Sequence, residues 1–229
     1  MSDQMPFIDV EFVDNPEPRC PCVLVLDVSS SMKGAAIDYL NLGVDLFAHD
    51  LTNSRLACKR VETAIITFGE GVQIVQDFVS PSAFVPPRFQ AGGKTPMGEA
   101  VVQACDLLNQ RKRKYRAAGV SYFRPWIFLI TDGEPTDYES ANWRRAVELV
   151  REGEADKKLM FFGVAVNDAH QGKLNELCPQ TRPAIKLNGL DFQGLFTWLS
   201  SSLRTVSSAN PGTTGIVLPS IAGWATVNV

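Results

Sequence analysis

Short, nearly continuous apolar runs alternate along this chain with stretches in which apolar residues recur every three or four positions. The runs are residues 22–26, 64–68, 126–130 and 159–166. A strand with one wet face shows strict alternation, whereas a strand covered on both faces does not. The runs therefore predict central strands of a parallel sheet with helices on either side. Between them, Ile37, Leu40, Val44, Phe47 and Leu51 line one helical face, as do Met97, Val101, Ala104 and Leu108, and then Trp143, Val147 and Val150. Phe192, Leu195, Phe196, Leu199 and Leu203 form the clearest stripe, in the last helix, and Leu174 and Leu177 predict a short helix before a weak strand at 184–187.

One connection breaks the alternation. Only a Gly-Glu-Gly turn separates Phe68 from the strand pattern at 71–78. That is too short for a parallel crossover, so the pair should be an antiparallel hairpin. The expected fold is α/β: a doubly wound, mostly parallel six-stranded sheet with one antiparallel edge strand and helices on both faces. Residues 1–18 read as an N-terminal extension, 19–206 as the domain and 207–229 as an appended tail. Within the extension, Ile8, Val10 and Phe12 alternate with acids and suggest an extra edge strand. Residues 80–94, with three prolines and two glycines, form a long loop of the kind that is commonly functional.

Composition narrows the function classes. At 229 residues the chain can bury a full core. Its net charge of -3 provides no field to draw in nucleic acid or anionic membranes. The longest apolar runs are too short to span a bilayer, and the first 19 residues lack the basic stretch and apolar run of a secretory signal. Five cysteines, mostly inside apolar segments, suit small buried hydrophobes in a reducing compartment. The expected location is the cytoplasm.

The candidate chemistry sits at strand ends. Asp27-Val28-Ser29-Ser30-Ser31 follows the first buried run directly, and Asp132-Gly133 follows the run at 126–130. In open α/β sheets, ligands collect beyond the carboxyl ends of strands where the strand order reverses. With a strand order of 3-2-1-4-5-6, Asp27 and Asp132 would face one crevice. Ser29 and Ser31, on a tight turn, could aim hydroxyls into it, and Gly92-Gly93-Lys94-Thr95-Pro96 offers the hydroxyl of Thr95 just before a helix. Hydroxyl and carboxylate oxygens without imidazole or thiolate suit a hard cation: Mg²⁺ first, with Mn²⁺ and Ca²⁺ as alternatives.

Asp27-x-Ser29-x-Ser31, a lone Thr95 in a glycine-bearing loop and Thr131-Asp132-Gly133 together resemble the metal-ion-dependent adhesion site (MIDAS) of von Willebrand A domains, over roughly residues 19–206. The resemblance implies a Rossmann-like fold, direct metal bonds from Ser29, Ser31 and Thr95, and Asp27 and Asp132 reaching the ion through water or weakly. It further implies a non-enzymatic module that recruits an acidic side chain of a protein partner, with binding coupled to movement of the last helix. Arg19-Cys20-Pro21-Cys22 and the apolar tail near Leu218-Pro219 carry a narrower resemblance to the TerY type of tellurium-resistance systems. That type is associated with a protein kinase and a protein phosphatase.

Competing readings bear on several of these residues. Asp27, Ser29 and Ser31 taken alone would be an ordinary turn and helix cap. Gly93-Lys94-Thr95 resembles the end of a phosphate-binding loop, but Arg88 stands where that motif needs glycine. The basic run Arg111-Lys112-Arg113-Lys114, with Arg116, reads as a solvated helix end or a docking surface for an acidic partner. His49 and His170 are isolated, and Cys20 and Cys22 lack the spacing of a metal or redox pair. Glu134 and Asp137 either tune the ion or belong to a solvated loop, and Trp224 either folds back or meets a partner. Two other functions stand beside the interaction module: a metal-dependent phosphoryl-transfer or hydrolytic enzyme, with Glu134 as its one base candidate, and a structural subunit stiffened by its metal.

Overall fold

In the computed structural model, which describes residues 12, 14–167 and 169–227, the apolar runs become strands and the periodic stretches become helices. The elements are β1 (Cys20–Asp27), α1 (Ala35–Thr52), α2 (Arg55–Arg60), β2 (Val61–Phe68), β3 (Val72–Val79), α3 (Met97–Ala117), β4 (Trp126–Thr131), α4 (Ala141–Ala155), β5 (Met160–Ala165), α5 (Gln171–Leu177), β6 (Ile185–Leu187), α6 (Phe192–Ser208) and β7 (Ala225–Val227). The short α2 has no periodic stripe to announce it. It is capped by the Ser54 hydroxyl, which accepts the Ala57 N–H at 3.3 Å.

The sheet order is β3-β2-β1-β4-β5-β6-β7. β1 pairs in parallel with both β2 and β4, and β3 pairs antiparallel with β2 as the short hairpin turn requires. β1 shows why its sequence is unbroken. Cys20, Cys22, Leu24 and Leu26 enter a core shared with α1 and α6, while Val23 and Val25 enter a second core shared with α3, α4 and α5. The expected fold class is present, including its reversal of strand order between β1 and β4. No helix among the described residues is long and apolar enough to cross a membrane.

Two expectations change. The segment after α6 is not merely appended. It folds back and adds β7 antiparallel to β6, with Ile185 opposite Val227 and Leu187 opposite Ala225, so the sheet has seven strands and a second antiparallel edge. Trp224 drives this return. Its ring is buried with its centroid 5.5 Å from that of Trp198, whose indole N–H donates to the Pro219 carbonyl at 2.8 Å. Three residues of strand are too few to leave a periodic signal. Trp224→Ala is expected to free this tail. Hydrogen exchange at the Asn188 amide, which donates to the Trp224 carbonyl at 2.8 Å, should quicken by about tenfold or more while β1 amides hold their protection.

The basic run is also not simply a solvated end. Arg113, Lys114 and Arg116 are exposed, but Arg111 and Lys112 are each only 5% exposed. Arg111 Nε donates to Glu62 at 2.8 Å, Arg19 Nε donates to the other Glu62 oxygen at 3.0 Å, and the Tyr115 hydroxyl donates to the same carboxylate. The edge strand read from Ile8, Val10 and Phe12 falls largely outside the described residues; Phe12 itself is buried edge-on to Tyr115, centroids 5.6 Å apart.

Candidate metal centre

β1 ends at Asp27 and β4 ends at Thr131. Because the two strands pair in parallel with Leu26 opposite Ile130, Asp27 and Asp132 emerge at the same end of the sheet. Asp27 is fully buried. Its carboxylate accepts the Ser29 N–H at 2.8 Å on one oxygen and the Thr131 hydroxyl at 2.6 Å on the other. A single 3₁₀ turn at Ser30–Met32 brings the Ser29 and Ser31 hydroxyls to 2.8 Å. Ser31 donates to Asp132 at 2.6 Å. A hydroxyl has one hydrogen, so Ser29 must be the donor to Ser31.

Thr95 arrives from far along the chain, and backbone hydrogen bonds hold its loop in place. Gly92 N–H donates to the Val28 carbonyl at 2.7 Å, Lys94 N–H to Gly69 at 2.9 Å, and Ser30 N–H to Gly93 at 3.1 Å. Thr136 N–H donates to the Thr95 carbonyl at 2.9 Å, and the Thr95 N–H returns a bond to the Thr136 hydroxyl at 3.2 Å. The loop is thus pinned to the β1–α1, β2–β3 and β4–α4 connections at once. The result is convergence. A carbon placed where a side chain on Gly133 would begin lies 3.2 Å from Thr95 Oγ1, 3.4 Å from Asp27 Oδ2 and 3.4 Å from Ser31 Oγ. All five residues read from the sequence therefore gather in one crevice, Ser29 and Asp132 through their bonds to Ser31.

The electrostatics of this crevice favour a cation. Burial pushes the Asp27 carboxyl up to about 6, against the hydrogen bonds from Ser29 and Thr131, and the nearby Asp132 pushes the same way. Burial also raises Asp132 above the usual carboxylate range, with the Ser31 bond opposing it. Two carboxylates sharing a desolvated pocket are costly unless a positive charge joins them. The donors are all oxygen and largely hydroxyl, and the Thr95 hydroxyl has no hydrogen-bond partner among the described residues. Those residues contain no cluster of three or more His, Cys, Asp or Glu that could hold a metal. The donor set fits a hard divalent ion and not a soft one.

Residues outside the quintet also shape the site. Thr131, noted only as part of Thr-Asp-Gly, holds the Asp27 carboxylate and also accepts the Gly133 N–H at 3.1 Å. Asp137 is half-buried and turned to a helix end. It accepts the Gly98 and Glu99 N–H groups at 3.1 and 2.9 Å, capping α3 from a distant loop. No local pattern marks such a cap, because donor and acceptor lie about 40 positions apart. Glu134 is exposed and engaged by Lys173. The five cysteines are free, with Cys20 and Cys22 buried in the core, and the His170 ring accepts the Lys173 N–H at 3.4 Å.

Residues 22–195 match the von Willebrand factor type A domain family. No curated protein matches the chain. Among solved structures, the pilus adhesin SpaC from Lactobacillus rhamnosus GG in its open conformation is 16% identical, with a TM-score of 0.62, over 83% of this chain and 31% of that one. The ArnB paralog VWA2 from Sulfolobus acidocaldarius is 16% identical with a TM-score of 0.54, over 81% and 45%. Proximal thread matrix protein 1 from the mussel byssus, in a structure with a zinc-occupied MIDAS motif, is 15% identical with a TM-score of 0.54, over 82% and 48%. The chain spans less than half the length of each of these structures, and at such identities the likeness is one of fold.

Proposed function

The chain belongs to the von Willebrand factor type A family, and from that premise we propose that it is a non-enzymatic, metal-dependent protein-interaction module. Ser29, Ser31 and Thr95 would bind one divalent cation directly, and Asp27 and Asp132 would hold it through water or weak contact. Mg²⁺ is the first choice for an oxygen-only set of this size, with Mn²⁺ and Ca²⁺ as alternatives. The single observation that carries the reading is the approach of Thr95 Oγ1, Asp27 Oδ2 and Ser31 Oγ, from two segments distant in sequence, to within 3.4 Å of one point on the Gly133 loop.

The chemistry of recruitment follows from the ligand charges. Hydroxyl ligands leave the ion's charge largely unneutralised, so it would accept a carboxylate from a partner protein at an open position. The chain's own part is to hold the donors still. Asp27 is held by Thr131 and the Ser29 N–H, Asp132 by Ser31, and the Thr95 loop by its backbone bonds. Glu134, the base candidate read from the sequence, is ion-paired with Lys173 at the surface, which supports an interaction role over an enzymatic one.

A finer reading rests on Arg19-Cys20-Pro21-Cys22 and the apolar tail, which resemble the TerY type. We propose a tellurium-resistance or stress-response setting in the cytoplasm, with a protein kinase or phosphatase as the carboxylate-bearing partner. The buried free cysteines suit a reducing compartment.

Calorimetric titration with Mg²⁺ and with Mn²⁺ tests the core of this proposal. Wild type should give saturable heats. Loss of an outer-shell partner alone typically weakens a metal by about 10- to 100-fold, so Thr95→Ala, which removes a direct ligand, should weaken it by at least about tenfold. Equal heats for the two proteins would overturn the assignment.

A further inference from the structure

The pole of the sheet opposite the Asp27 crevice holds a second feature that the metal site does not use. A cavity of about 970 Å³ lies beside the N-terminal ends of β4 and β5, between the C-terminal halves of α3 and α4 and the loop that follows α6. Its size matches the upper range of small-molecule sites, roughly 300–1,000 Å³. Partly exposed Met160, Ile216 and Leu218 supply an apolar wall, with Trp126 and Leu159 buried behind it. Lys112, Arg116, Arg124, Lys157 and Lys158 also line it, against one acid among the described residues, Glu152.

Some of these cations are already matched. Arg124 pairs with Glu154 at 2.6 Å and Lys158 with Asp156 at 2.6 Å. Lys112 is different. It is 5% exposed, and its ammonium reaches only the Lys158 carbonyl, at the long distance of 3.5 Å, with no carboxylate partner among the described residues. Burial pulls its pKa below the usual lysine range, and Arg116 and Lys158 push it the same way. The dipole at the end of α3 attracts cations, but exposed Lys114 and Arg116 in the last turn answer it without burying a charge. A buried, unmatched ammonium among other cations is costly to maintain, and an anion in the cavity would relieve that cost.

We propose that this cavity binds a small organic anion, with its acidic group on Lys112 and Arg116 and its apolar body against Met160 and Leu218. The anion and the apolar body are both required: the cations alone would take any phosphate, and the wall alone any hydrophobe.

The probe is anilinonaphthalene sulfonate, which joins an anionic head to an aromatic body. It is titrated by fluorescence into the full chain in EDTA, so that failure of the metal site leaves the result untouched. Saturable one-to-one binding is expected, with phenylnaphthylamine, its neutral counterpart, binding about tenfold or more weakly and inorganic phosphate competing only poorly. Lys112→Met keeps the stem and removes the charge. It should weaken the probe by about tenfold or more, the scale of one charge-assisted hydrogen bond, while the melting temperature holds or rises because a buried unmatched charge is gone. Unchanged affinity in Lys112→Met, or equal binding of the neutral probe, overturns the proposal. Should Lys112→Met melt lower, the exposed Arg116→Gln decides: a several-fold loss supports the site and unchanged affinity sinks it.

Discussion

Glu62→Ala is expected to destabilise the chain by about 3–5 kcal/mol, the usual cost of removing one member of a buried charge cluster. Glu62 is 5% exposed, and its two carboxylate oxygens serve Arg19 and Arg111, whose side chains are 3% and 5% exposed, as well as the Tyr115 hydroxyl. Both guanidiniums also lie near the Phe12 ring, at 5.5 and 4.9 Å from its centroid, so neither can turn to water without unpacking that corner. The loss is a penalty for two buried guanidiniums deprived of their shared carboxylate, Arg19 keeping its bonds to the Glu17 and Asn15 carbonyls. It does not measure what the ion pairs contribute relative to an apolar core, which can be near zero. For a domain of this size, about 2–4 °C of melting temperature accompanies each kcal/mol, so the midpoint should fall by roughly 6–20 °C. A denaturation curve showing a loss below about 1 kcal/mol would mean that the cluster is open to water and that its burial is misjudged.

A second large effect is expected from adjacent glycines that look alike in sequence. Gly93 has φ +82°, and a Cβ there would run into the backbone of Gly69 and Glu70. Gly93→Ala should therefore cost about 1–3 kcal/mol in strain. It should also push the Thr95 loop off the β2–β3 turn, weakening cation binding by about tenfold or more, on the scale of losing a ligand's outer support. Gly92→Ala should do almost nothing to stability, since a Cβ there meets only Glu70 Oε1 at 3.6 Å. Calorimetric titration of the two variants side by side checks this. Equal cation affinities would show that the loop relaxes without moving Thr95, and the claim that backbone contact positions this ligand would fail. The sequence shows only that both lie in one glycine-bearing loop. The structure assigns close approach to Gly93 alone, and to a neighbouring turn.

How much was legible depended on where the information sits. The runs at 22–26, 64–68 and 126–130 announced themselves because a doubly covered strand must be apolar at every position. The gathering of Asp27, Ser29, Ser31, Thr95 and Asp132 was legible because oxygen-bearing side chains in turn segments stand out and the sheet restricts where they can stand. Arg111 and Lys112 were misread as solvated because charge argues for exposure, whereas a partner 49 positions away, Glu62, helps make burial of Arg111 tolerable. Lys112 went under with no such partner among the described residues, which nothing in its local pattern could foretell.

The chain's own pattern determined the α/β class, the antiparallel hairpin and the oxygen-bearing residues at the strand ends, because periodicity, turn length and side-chain chemistry are local quantities. Tertiary structure alone decided that Thr95 meets Ser31 and Asp27, that Asp137 caps α3 and that Trp224 returns to add a seventh strand. It also decided that Glu62 draws two arginines inside. Each of these is a free-energy balance between groups distant in sequence, struck only once the sheet has brought them together.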